Sequence, residues 1–152
     1  LTLTNEEMAE NYLYWAMRRV EWVRQLLGSG DYPVVVREAQ ECAELFLKGI
    51  LRLVGVEPPR EHDVSNSLRD NAHLFPDWFA QRVDELVEAS RWLAENRGLA
   101  FYGDERQRIP PSHLYGEAEA QQAWQYLETI RDVCQRLWQD WQAARQGGRP
   151  SP

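Results

Sequence analysis

Between Asp31 and Gly55 the chain carries an apolar face that a helix can present and a strand cannot: Ala39, Cys42, Ala43, Phe46, Leu47, Ile50, Leu51 and Val54 recur at three- and four-residue spacing. Such a face has to be buried against other helices. Asp31 caps the segment, Pro33 sits in its first turn, and Gly55 closes it ahead of an extended Pro58-Pro59 connector.

The rest of the chain supplies the covering helices. Thr4-Asn5-Glu6-Glu7 reads as a capping box, and Met8, Tyr12, Trp15, Val23, Leu26 and Leu27 follow at helical spacing until Gly28-Ser29-Gly30. That short connection makes the first two helices a hairpin. Asp63 or Ser65 caps a short helix through Ala72. A longer helix starts near Pro76, points Phe79, Val83, Leu86, Val87 and Leu93 inward, and fades at Asn96-Arg97-Gly98. Residues 99–115, broken by Gly103 and Pro110-Pro111, read as a long loop. From Gly116 the chain is helical again through Ala120, Trp124, Leu127, Ile130, Cys134, Leu137 and Trp141. The expected fold is all-α, an antiparallel up-and-down bundle of four long helices and one short one over residues 4–145, with 146–152 a disordered tail.

Composition narrows the chemistry. The 152 residues are enough for one core without disulfides or metal, and Cys42 and Cys134 fall on apolar faces. His62, His73 and His113 are scattered, so no metal and no cofactor is expected. No segment has the length of a membrane span, and the expected location is the cytoplasm. A net charge of -7 excludes a uniformly basic surface, so any nucleic-acid site must be a local patch. The signatures of phosphate loops, dinucleotide-binding turns and serine hydrolases are absent. Of the seven tryptophans, Trp15, Trp124, Trp138 and Trp141 are expected in the core or a dimer interface, and Trp22 and Trp92 in an exposed patch.

Arginine fills every basic position but one: of 17 Lys and Arg residues only Lys48 is lysine, one turn after Glu44. An i,i+4 pair on a solvated face accounts for it at a few tenths of a kcal/mol, roughly. A polar groove that uses the compact ammonium accounts for it too. His62, just beyond the Pro-Pro connector and ahead of a helix start, is placed either to cap backbone groups or to act as an acid, base or phosphate ligand.

The order of these pieces, Ala43-Glu44-x-x-x-Lys48-x-x-Leu51, Gly55, a proline-bearing connector and then His62-Asp63-Val64, resembles the HEPN domain family of small prokaryotic helical proteins. Phe101-Tyr102-Gly103-Asp104 stands where that family often has an Arg-Tyr-Pro-Asp-like segment, and the likeness runs from Thr4 to Arg145. The resemblance implies a homodimer that binds nucleotide or RNA and partners a small nucleotidyltransferase in a toxin-antitoxin system. The implied binding residues are Lys48, Glu44, Arg60 and His62, with Tyr102 and Asp104 closing over the ligand. Many members are metal-independent ribonucleases with an Arg-x4-6-His motif, which Arg108 and His113 match in spacing. Here Ile109 replaces the usual small polar residue, and Pro110 and Pro111 keep the motif off a regular helix. A helical protein that only neutralises a partner is the remaining reading.

Overall fold

The computed structural model describes residues 4–147. Its seven helices are α1 Asn5–Ser29, α2 Tyr32–Leu53, α3 Ser65–Asp70, α4 Asp77–Ala80, α5 Val83–Tyr102, α6 Pro111–Leu114 and α7 Glu117–Gly147, with a 3₁₀ turn at Ala72–Leu74. Among the described residues there is no strand, only an isolated bridge between Asp104 and Ile109.

The long helices form an antiparallel bundle with α2 at its centre, packed against α1, α7 and α5. Thr4 starts α1 by accepting the Glu7 N–H at 3.1 Å, and Gly30 ends it at φ 79, a left-handed conformation that favours glycine. The chain then reverses directly into α2. Ala39, Cys42, Ala43, Phe46, Leu47, Ile50 and Leu51 are all buried there, against Leu13, Val20 and Val23 of α1 and Leu127, Ile130 and Val133 of α7, among others. Gly49 permits the close crossing of α1 and α2, since a Cβ there would stand 3.0 Å from the Leu13 side chain and 3.3 Å from Tyr12. Cys42 donates its thiol to the Ala16 carbonyl at 3.2 Å, and burial pushes its pKa up to about 12. The helix α7 runs to Gly147, so the first two residues of the expected tail are helical, and residues 148–152 lie outside the described residues.

Three segments differ from the sequence reading. The helix expected from Pro76 is two: α4 turns once, tightens at an Arg82 N–H to Phe79 carbonyl bond of 2.8 Å, and α5 starts afresh at Val83. Asn96-Arg97-Gly98 does not end α5. The Asn96 amide bonds back to the Trp92 carbonyl at 2.8 Å and its side-chain oxygen accepts the Tyr115 hydroxyl at 2.9 Å, so the residue serves the bundle rather than a helix stop. The stop is Gly103, at φ 73, where an added Cβ would collide with the Ile109 carbonyl oxygen at 2.2 Å. The expected loop is therefore ordered: it holds the end of α5, a turn closed by two Asp104–Ile109 backbone bonds of 2.9 Å, and α6. Trp15 is not a core residue of this chain either; it is half exposed on α1. No described helix is long and apolar enough to cross a membrane.

Gly49→Val should destabilise the protein by about 1–3 kcal/mol, because two branched methyl groups must push α1 off α2. Thermal denaturation checks this, and an unchanged or raised midpoint would show that the crossing has slack.

Candidate functional site

The polar stripe of α2 is the side of that helix that its neighbours leave partly open, and it carries Arg37, Glu38, Glu41, Glu44 and Lys48. Gln40, which breaks the apolar run, is buried beside it and opens the stripe toward α5. The connector after Gly55 reaches this stripe because Asp63 anchors it: one carboxylate oxygen accepts from the Ser65 N–H at 3.0 Å, the Ser65 hydroxyl, and the Ser90 hydroxyl of α5 at 2.9 Å. His62 is thereby held over the stripe.

Glu44 is the hub. Its Oε1 accepts from Gln40 Nε2 at 2.9 Å and from His62 Nδ1 at 2.7 Å, and its Oε2 pairs with Lys48 Nζ at 3.1 Å. Burial works against its charge and is the largest single influence, yet the bonds from Gln40, His62 and Lys48 together with the Lys48 charge outweigh it and hold Glu44 below the usual carboxylate range. Arg97 of α5 completes the cluster: Nε donates to Gln40 Oε1 at 2.8 Å and Nη1 faces His62 Nε2 at 3.0 Å. A guanidinium cannot accept a proton, so His62 Nε2 is the acceptor and Nδ1–H donates to Glu44. The imidazole is fixed in one tautomer from both sides, while half of its side chain stays exposed.

Next to this hub, three guanidiniums share one carboxylate. Arg97, Arg37 and Arg19 lie 3.4, 3.5 and 3.7 Å from Glu41. All three distances exceed the roughly 2.7–2.9 Å of a tight charge-assisted bond. Neighbouring Glu38 has its pKa raised, first by burial and then by Glu41, against the opposing pull of Arg19 and Arg37.

The structure thus gathers Glu44, Lys48 and His62, and Lys48 is neither in bulk solvent nor free, its side chain being 14% exposed and turned to Glu44. Arg60 is exposed in the bend before His62 and makes no hydrogen bond among the described residues. Tyr102 is exposed with its ring edge-on to Phe101, on which Arg37 stacks at 3.6 Å. Asp104 is engaged by its own turn, accepting the Gln107 N–H at 3.1 Å. Arg108 occupies that turn at φ 57 and His113 lies in one-turn α6; both are exposed, and no hydrogen bond joins them. Among the described residues no group of three His, Cys, Asp or Glu side chains is placed to hold a metal ion.

Sequence reasoning misses Arg97, Gln40, Glu41, Arg37 and Arg19. It puts Arg97 in a helix stop, and only a continuous α5 turns that residue toward α2. A polar Gln40 inside an apolar run is the one signal pointing to a buried polar contact.

The profile of the HEPN domain matches residues 9–137. Among solved structures, TT1696 from Thermus thermophilus superposes with a TM-score of 0.70 at 26% identity, covering 84% of this chain and 96% of that one. ST0689, an archaeal HEPN homologue, superposes with a TM-score of 0.63 at 23% identity, covering 84% and 94%; at that identity the likeness speaks to the fold alone. No curated protein sequence matches significantly. With a profile match over most of its length and the bundle to go with it, the chain belongs to the HEPN domain family.

Proposed function

We propose that the chain is a nucleotide- or RNA-binding HEPN module that takes a phosphate group at the α2–α5 polar cluster, acting as a homodimer beside a small nucleotidyltransferase. The observation that carries this reading is the set of three guanidiniums spread over the single carboxylate of Glu41. The guanidiniums of Arg19 and Arg37 make no hydrogen bond among the described residues, and a phosphate offers more acceptor oxygens in a geometry that guanidinium matches. Lys48 and His62 border the same cluster, and Arg60, exposed two residues before His62, is read as a further contact through the family alone. Tyr102 and Asp104 are read as neighbours of the ligand through the family alone.

A second reading, metal-independent RNA cleavage, is favoured by one observation: Glu44 fixes the His62 imidazole with Nε2 beside the Arg97 guanidinium. An oriented imidazole next to a phosphate-binding arginine is suited to proton transfer at a scissile phosphate. Arg108 and His113 have the family's spacing without such an orienting partner.

Titration with AMP and short RNA should show salt-sensitive binding that Arg97→Ala and Lys48→Ala each weaken about ten-fold, with the salt slope reduced by about one per lost contact. Salt-independent binding, or none, would sink the module reading, and sedimentation of the same preparations reads the dimer. For cleavage, RNA incubated in chelator should be cut by wild type and not by His62→Ala, with His113→Ala retaining activity; loss only in His113→Ala would move the chemistry to the α6 turn. Glu44 sets an acid limit as well. Its folded pKa lies below the ordinary 4.5, so the stability it contributes is fully present above that value and is lost as pH falls through the folded pKa. Denaturant titrations should show Glu44→Gln less stable than wild type by about 1–3 kcal/mol at neutral pH. The gap should close below pH 4.5; a constant gap down to the acid transition would contradict the assignment.

A further inference from the structure

The outward side of α1 carries three exposed aromatic side chains. Trp15 and Trp22 are each 50% exposed and Tyr14 48%. Trp15 and Trp22 lie seven residues apart, about two turns and roughly 10 Å along one face, with Arg18 and Arg19 between them. Tyr14 stands edge-on to Trp15 at 5.3 Å, and Arg18 lies over the Tyr14 ring at 5.7 Å.

The charge of this strip runs against that of the chain. The protein carries a net charge of -7, yet α1 has no acidic residue between Glu10 and Glu21. Glu21 is itself neutralised by Arg24 at 2.6 Å. The strip also runs into the polar cluster, because Arg19 reaches Glu41, the carboxylate that Arg37 and Arg97 share. A second copy of the chain fits the strip poorly. A two-fold axis that laid Trp15 of one copy on Trp22 of the other would bring Arg18 and Arg19 of both copies together at the axis, a like-charge contact.

We infer that this face of α1 is a base-stacking platform for single-stranded nucleic acid, with Trp15 and Trp22 taking bases and Arg18 and Arg19 following the backbone. The inference rests on the phosphate-binding reading of the α2–α5 cluster and extends it: phosphate binds at the cluster, and the adjoining bases stack along α1. Flat aromatic faces accept any unpaired base and refuse paired ones, so the ligand is a single strand rather than a duplex.

The test uses tryptophan fluorescence with AMP, a single-stranded RNA hexamer and the same hexamer in a duplex. Wild type should bind the hexamer at least ten-fold more tightly than AMP or the duplex, with quenched emission. The double variant Trp15→Ala, Trp22→Ala should bind the hexamer no better than AMP while its AMP affinity stays within two-fold. Trp15→Phe, Trp22→Phe, which keeps the rings, should retain most of the hexamer affinity. Undiminished hexamer binding by the alanine variant would overturn the inference. So would an alanine variant that dissociates a dimer while keeping its RNA affinity, since α1 would then be a self-association face. Wild type that binds AMP with no gain for the hexamer defeats the platform and leaves the phosphate site standing; wild type that binds nothing defeats both.

Discussion

Everything in this bundle depends on α2 being wrapped by other helices on all but one side. A helix so enclosed must be apolar around most of its circumference, which is why buried residues run from Val35 to Leu53 on several faces at once. The enclosure leaves one narrow stripe where polar groups are tolerated, so the ionisable side chains of α2 are compressed into a single row. Neighbouring helices then add to that row from its two flanks, Arg19 from α1 and Arg97 from α5. The charge cluster is a by-product of how the core is built.

Within the row, Glu41 and Glu44 differ in how well they are served. Glu44 has three partners at 2.7 to 3.1 Å, which hold it in place. Glu41 is approached by three arginines and closely held by none. Well-paired groups fix geometry, whereas loosely paired ones keep their capacity to interact. The Glu44 side of the row is therefore held in a fixed arrangement, and the donors on the Glu41 side are left loosely paired.

The long helices, the α1–α2 hairpin and the core positions of α2 are legible in the sequence because they rest on local signals: caps, glycine stops and helical periodicity. The end of α5 is not. Asn96 and Gly98 are ordinary stop residues, and only Tyr115, 19 positions further on, shows that Asn96 is occupied by a bond that leaves the helix running. The expected loop fails for the same reason, since Gly103 owes its role to a close approach of Ile109 that spacing does not reveal. For the site, Glu44 and Lys48 can be paired at one-turn spacing, and His62 stands out by its place after the Pro-Pro connector while its grouping with them comes from the resemblance. Arg97 cannot be found that way, because its contact with Gln40 spans 57 residues and depends on where α5 ends. Trp15 satisfies helical spacing and still faces outward, as periodicity gives a face without saying what lies opposite it.

Glu41 has a further consequence. It is a resident anion, already seated where three cations converge, so on the phosphate-binding reading an incoming anion would not enter an empty basin but compete for an occupied one. The free energy of such an exchange is the difference between two charge-assisted pairings, and a monoanion shaped like a carboxylate gains almost nothing by it. A group with more charge and more acceptor oxygens gains a great deal. On the phosphate-binding reading the carboxylate would act as a threshold, favouring a phosphate over chloride, acetate and acidic side chains in the surrounding solution.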